Sequence, residues 1–289
     1  MIKSSELIIN ADGSIFHLHL KPEQLADKII LVGDPGRVEL IGNLLTETEF
    51  KVMNREFVST TGKFNNQRIT IVSTGIGTDN IDIVVNELDA LANINLTTRE
   101  ISPVHRKLNF IRIGTSGGLQ DYLPVNSFVV SQKAIGFDGL LNFYANRNEV
   151  SDLAFEEAFK LHTGWGNLLT SPYVIGCSEQ LFSKVHREDT IAGITISAPG
   201  FYGPQGRVLR LPLADPFLNN KIQSFIFKGQ KITNFEMECS AIYGLSKLLG
   251  HEALTICLII ANRAKKEASS NYTQPMEALI RLVLERLTS

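Results

Sequence analysis

The amino-acid sequence predicts an α/β fold around a mixed, largely buried sheet. Two observations carry this. Short β-branched runs alternate along the chain with segments of helical periodicity, the pattern of helices layered on a sheet. Several of those runs are apolar throughout, as strands covered on both faces are. No internal repeat, low-complexity tract or linker marks a boundary, so one domain is expected over residues 1–289.

The expected strands are Ile29–Val32, Ile69–Ser73, Phe110–Ile113, Phe128–Ser131, Ile191–Ser197 and Leu254–Ala261. Between them, Asn80–Ala92 repeats Ile81, Val84, Val85, Leu88 and Leu91 at helical spacing. Glu236–Leu249 follows the same pattern and runs into Gly250, a residue suited to the left-handed position that ends a helix. The last helix, Thr273–Leu287, gathers Met276, Leu279, Ile280, Val283 and Leu287 on one face, with Glu277, Arg281 and Glu285 at i,i+4 spacing opposite. Asn93 to Lys107 is polar, contains Pro103, and reads as a long loop or insertion.

Composition excludes several classes of function. With 28 Lys plus Arg against 30 Asp plus Glu, the net charge of -2 gives no electrostatic case for nucleic acid. Cys177, Cys239 and Cys257 are odd in number and share no CxxC spacing, which suits a reducing compartment and opposes a disulfide framework or zinc knuckle. Met1 to Asn10 has no apolar h-region, and the longest apolar run, about Leu254 to Ala261, is far short of the roughly 20 residues of a membrane span. A soluble cytoplasmic chain with no membrane partner is expected. The six histidines show no HExxH or paired-ligand spacing, so no metal is expected.

Five segments carry chemistry. Gly33-Asp34-Pro35-Gly36-Arg37 follows a strand and precedes a helical stretch. Such a turn aims backbone N–H groups at an anion, and Arg37 adds a guanidinium fork. Alone it is more often a plain tight turn. Ser73-Thr74-Gly75-Ile76-Gly77 makes a second strand-to-helix turn, without the third glycine of a dinucleotide fingerprint or the GK[ST] of a P-loop. Nucleotide cofactors lose support. Arg112 is a charge inside an apolar strand, where a guanidinium needs a partner. The glycine-rich stretch after it, Gly114-Thr115-Ser116-Gly117-Gly118, reads as a turn with two hydroxyls, the makings of an oxyanion nest. It also fits G-x-S-x-G, but a nucleophile elbow needs a helix directly after the serine. Leu119 to Asn126, with Asp121 and Pro124, has no helical pattern.

Glu236-Met237-Glu238 opens the expected helix. If its entry is extended, the two carboxylates point the same way and can accept from vicinal hydroxyls, with Met237 over an apolar sugar face. In isolation they read as acids favourable to a first helical turn. Phe201-Tyr202-Gly203-Pro204-Gln205-Gly206-Arg207 offers an aromatic face, an amide and a guanidinium, able to stack a heterocycle and bond its edge. The plainer reading is an aromatic plug of the core.

Together with Phe16-His17-Leu18, Arg55-Glu56-Phe57 and Asn262-Arg263, these segments resemble the nucleoside phosphorylase family of the uridine and hexameric purine type, from about Phe16 to Leu287. The resemblance implies an α/β/α sandwich whose mixed sheet partly closes into a barrel. It implies phosphate held by Gly33, Arg37, Arg112 and Thr115, with Arg55 reaching from a neighbouring subunit. Ribose would be held by Glu236, Met237 and Glu238, with His17 of that neighbour over the 5′ end. The base would sit on Phe201 with Gln205, Arg207 and Arg263 at its polar edge. Arg37, Arg112 and Glu238 would carry catalysis, with inorganic phosphate as co-substrate and no organic cofactor. Shared sites imply a homo-oligomer, a dimer or a trimer of dimers. The insertion 93–107 favours the dimer on steric grounds. Some relatives hold a monovalent cation at the interface with an acid and a hydroxyl. Glu56 is present here but Asn80 replaces the hydroxyl, so that ion is not expected.

Within the family the residues favour uridine. Purine enzymes use an Asp to protonate the leaving base, and Asn262 stands at that position, unable to act as an acid. Uracil leaves with negative charge spread over its carbonyl oxygens and ring nitrogens. Gln205 and Arg207 supply donors there, and Gln205 is also expected to accept from the ring N–H. The expected activity is that of a pentosyltransferase, the reversible phosphorolysis of uridine to uracil and ribose 1-phosphate. A purine nucleoside phosphorylase is the nearest rival. A nucleosidase using water is opposed by three anion-directed arginines, and a non-catalytic nucleoside-binding protein is the remaining alternative.

Overall fold

The computed structural model describes residues 1–289. In chain order, β1 (Lys28–Val32) turns into α1 (Pro35–Gly42), then β2 (Glu47–Asn54) and β3 (Phe57–Phe64) form a hairpin followed by β4 (Gln67–Ser73) and α2 (Thr78–Asn93). The two-residue strands β5 (Ile94–Asn95) and β6 (Glu100–Ile101) precede the long strands β7 (Asn109–Gly118) and β8 (Phe128–Gly136). Next come α3 (Arg147–Val150), α4 (Leu153–Thr163), β9 (Tyr173–Gly176), α5 (Glu179–Val185) and β10 (Ile191–Ser197). The chain ends with α6 (Leu218–Ser224), β11 (Ile226–Phe227), β12 (Gln230–Glu236), α7 (Cys239–Leu248), β13 (Glu252–Asn262), β14 (Glu267–Ala268) and α8 (Thr273–Thr288).

One sheet organises the molecule. Its path runs β12, β10, β8, β13, β7, and β7 pairs back onto β12, so five strands close a small barrel. β1 and β4 continue outward from β7 in parallel, and β3 and β2 add an antiparallel flap. Both faces are covered, and strand alternation divides the core between them. Ile29 and Leu31 of β1 pack with Ile81, Val84 and Leu88 of α2 and Ile242 and Leu245 of α7. Ile30 and Val32 face the other way, onto Val38 and Ile41 of α1 and Leu279, Ile280 and Val283 of α8. Each fully buried aliphatic side chain of this kind stabilises the fold by about 1.5–3 kcal/mol. No helix is long and apolar enough to cross a membrane.

Three local expectations are corrected. The stretch Gly114–Gly118 is not a turn: β7 continues to Gly118, because β13 pairs along it and β12 closes on Gly117 and Gly118 from the other side. Those backbone groups are committed to ladders and make no nest. Residues 93–107 are not an irregular loop either. They hold the β5–β6 pair and dock: Asn93 bonds Arg106 through both its amide groups, and Arg106 pairs with Asp27 at 2.7 Å. Glu236 ends β12 rather than opening a helix, and α7 starts at Cys239.

Candidate active site

A cavity of about 830 Å³ lies where β1, β4, β7 and β12 end, the crevice in which open α/β sheets take ligands. Gly33 follows β1. A Cβ there would meet the Gly75 carbonyl oxygen at 3.4 Å and Arg37 Nη2 at 3.7 Å, ordinary contact, so the two turns and the guanidinium lie together at this point without space demanding a glycine. Asp34 caps α1, accepting from the Gly36 N–H at 2.9 Å, and Pro35 fits the first turn. Arg37, carried by α1, donates Nη1 to the Ile113 carbonyl at 3.0 Å. Burial, and then the like charge of Arg112, lowers its pKa.

Arg112 is buried on β7. Its Nη2 donates to Glu238 Oε2, its Nη1 lies 3.2 Å from Glu236 Oε2, and its Nε has no partner within the chain. Burial opposes the charge, but Glu238 and then Glu236 outweigh it, and the guanidinium is held charged. Glu236 at the end of β12 and Glu238 just before α7 both meet this arginine, yet their employment differs. Glu236 accepts from Ser197 Oγ, from the Glu238 N–H at 2.9 Å and from the Cys239 N–H at 3.0 Å, capping the start of α7. Burial pushes its pKa up to about 7, with Arg112 pulling it down and Glu238 adding to the rise. Its oxygens are fully used inside the protein. Glu238 keeps Oε1 on the Gly77 N–H at 2.8 Å. Met237, Thr115 and Ser116 also line the cavity.

The opposite wall is the aromatic loop. Phe201 carries the Arg207 guanidinium over its ring, 3.6 Å from the centroid. Gln205 is buried in a short 3-10 turn, Gly203–Gln205, and its Oε1 accepts from Arg207 Nη1 at 2.7 Å and Arg263 Nη2 at 2.8 Å. Arg263 also donates Nη1 to the Gln205 carbonyl and stands outside the cavity lining. It holds the amide from behind, and burial followed by Arg207 pushes its pKa down to about 10. Two guanidiniums on Oε1 leave Gln205 its Nε2 donor, so acceptance from a ring N–H at Oε1 is displaced. Asn262 is also absent from the lining. Its Nδ2 donates to the Gln120 and Leu123 carbonyls, and its Oδ1 accepts from the Lys265 N–H at 2.9 Å.

His17 and Arg55 do not line this cavity. They lie near each other, Arg55 beside the cavity-lining Glu56: Asn54 Nδ2, next to Arg55, donates to the His17 carbonyl at 2.8 Å. Arg55 is exposed in the β2–β3 turn at φ 54°. Several lining residues escape sequence reasoning, among them Phe235, Ile260 and Ala261, while Glu56 and Asn80, weighed there only for an interface cation, line the cavity itself. Ser116, which the sequence raises as a nest hydroxyl or a nucleophile, has a buried Oγ without a partner, and no histidine lines the cavity to activate it.

Asp89, His105 and His251 have donor atoms within 4.8 Å of one another, near the start of β7 and away from the cavity. His251 Nδ1 accepts from the Leu108 N–H at 3.2 Å, so Nε2 carries the proton that faces Asp89 Oδ1 at 3.0 Å. Neither ring nitrogen offers an ion a lone pair. The donor set does not fit a metal.

The fold agrees with that of known proteins. A uridine phosphorylase of Thermococcus kodakarensis is 28% identical over 270 residues, 91% of this chain and 83% of that one. A solved Trypanosoma brucei nucleoside phosphorylase, described as showing uridine phosphorylase activity, superposes with a TM-score of 0.87 at 28% identity, covering 97% of this chain and 99% of that one. A DeoD-type purine nucleoside phosphorylase of Listeria welshimeri is 27% identical over 245 residues, 84% of this chain and 85% of that one. The family model of the phosphorylase superfamily matches residues 27–288. The chain belongs to the phosphorylase superfamily.

Proposed function

We propose that the protein is a uridine phosphorylase, converting uridine and phosphate reversibly to uracil and ribose 1-phosphate. The observation that carries this is one cavity lined by Arg37, Arg112 and Glu238 at one end and by Phe201, Gln205 and Arg207 at the other. Two guanidiniums side by side make an anion site, and Gly33 and Thr115 border it. Glu238 and Met237 take the ribose. Glu236, with its oxygens already engaged, acts by holding Arg112 and the start of α7. The base stacks on Phe201, with Gln205 Nε2 and Arg207 donating to its carbonyl oxygens while Arg263 fixes the amide.

The chemistry follows from that arrangement. As the C1′–N1 bond loosens, the sugar gains oxocarbenium character and the uracil gains negative charge. Phosphate held beneath C1′ stabilises the cation and then attacks it, and the amide and guanidinium donors meet the charge developing on the base. No covalent enzyme intermediate and no cofactor is required.

Arg55 and His17 belong to this reading only if a neighbouring subunit receives them, so we infer a homo-oligomer with shared sites. Asn262 favours pyrimidine over purine, since an amide cannot protonate a leaving purine and its groups are tied to Gln120, Leu123 and Lys265. The test is product formation from uridine and inosine under saturating phosphate. Uridine is expected to react faster by about 100-fold or more, the discrimination available when a site's polar groups would be left unpaired. Faster turnover of inosine would assign the protein to the purine enzymes instead.

A further inference from the structure

Glu87 lies on α2, outside the cavity, and the mechanism above gives it no task. Its carboxylate nevertheless collects hydrogen bonds from two consecutive residues. The His17 N–H lies 3.0 and 3.1 Å from its two oxygens, the Leu18 N–H lies 2.9 Å from Oε2, and His17 Nδ1 lies 2.6 Å from Oε1. A carboxylate only accepts, so the proton of that ring contact sits on Nδ1. His17 Nε2 makes no hydrogen bond within the chain. The ring is held on other sides too, by Phe16 and Phe57 packed edge-on at 4.6 and 6.4 Å.

We propose that Glu87 is a positioning residue for catalysis: it fixes His17 in the Nδ1–H tautomer and presents Nε2 as an acceptor for the ribose 5′-hydroxyl in the neighbouring subunit's site. The inference rests on the reading that His17 is lent to that site. Carboxylate–histidine pairs set which ring nitrogen is free to act, and here the two backbone N–H groups fix the carboxylate in turn. A glutamine at this position has one acceptor oxygen, so its amide N–H must face either the backbone donors or Nδ1. Facing Nδ1, it moves the ring proton to Nε2 and turns an acceptor into a donor.

The experiment compares uridine with 5′-deoxyuridine, which lacks the hydroxyl in question, using the full-length protein at saturating phosphate. Glu87→Gln is expected to lower kcat/KM for uridine about tenfold, chiefly through KM, the scale of one hydrogen bond of the stronger kind. The value for 5′-deoxyuridine should stay within about twofold of wild type. His17→Ala should show the same substrate dependence. Equal losses on both substrates in Glu87→Gln would mean that Glu87 only anchors the N-terminal segment, and would overturn the proposal. If His17→Ala discriminates between the substrates and Glu87→Gln does not, the placement of His17 at the 5′ end stands and the role of Glu87 falls. If His17→Ala does not discriminate either, the placement of His17 at the 5′ end is wrong and the inference fails with it. Should Glu87→Gln fail to fold, Glu87→Asp, which withdraws the carboxylate by one methylene, gives the same comparison.

Discussion

At the scale of single residues, the site is a set of buried charges that depend on one another. Arg112 and the two acids were legible in the sequence because a guanidinium in an apolar strand and paired carboxylates at an extended entry both demand partners. Their division of labour was not. Glu236 spends its oxygens on backbone N–H groups at the start of α7 and on Ser197, the last a contact that exists only once β10 and β12 lie side by side. Likewise Arg263 meets Gln205 across 58 residues of chain, which no local motif announces. The buried Glu236 carries a pH signature. Its pKa moves from 4.5 in an exposed chain to about 7 in the folded one. The folded state therefore binds this proton more tightly, and the resulting stability is complete below 4.5 and lost as pH rises through 7. Thermal melting between about pH 5 and pH 8 should show wild type losing Tm relative to Glu236→Gln, which cannot titrate. Parallel profiles would remove Glu236 as a titrating group.

At the scale of elements, turns rather than helices set the site geometry. The helices α2 and α8 were readable from apolar spacing, and Gly250 does take a left-handed conformation after α7, at φ 79°. The strands β2, β3, β9 and β12 were not expected, and β7 was cut short at its glycines. A glycine-rich stretch reads as a turn locally, but neighbours on both sides outweigh that preference when a sheet closes around it. The turn into α2 shows the opposite case, a glycine demanded by the backbone. Gly77 sits at φ 96° and ψ 163°, and a Cβ there would lie 2.8 Å from Asp79 Oδ1. Its N–H is also the anchor of Glu238. Gly77→Ala should therefore cost about 1–3 kcal/mol of stability, the usual strain of that backbone region, and raise KM for uridine as Glu238 loses its anchor. Urea denaturation and steady-state kinetics on the same preparation check both parts. An alanine enzyme with wild-type midpoint and KM would contradict this account of the turn.

At the scale of the whole molecule, the α/β class follows from alternating strand and helix patterns, whereas the closure of β7 onto β12 is a long-range pairing without a local signature. That closure brings Arg112, Thr115 and Ser116 to one mouth with Glu236 and Glu238. The same scale decides how many chains make a site. Because Arg55 and His17 are not among the residues lining their own chain's cavity, an Arg55→Ala protein and an Arg112→Ala protein should each be weak alone and recover activity when co-assembled. In an isologous pair one site then carries both defects and the other neither. Activity that only averages the two parents would show that each site is complete within one chain. Most directly, the central claim is that guanidiniums gathered in this cavity hold phosphate as the nucleophile. It is tested by measuring uridine consumption against phosphate concentration, starting from phosphate-free buffer. The account predicts a rate that saturates with phosphate, almost vanishes without it, and yields ribose 1-phosphate. An equal rate in phosphate-free buffer, with free ribose as product, would contradict it.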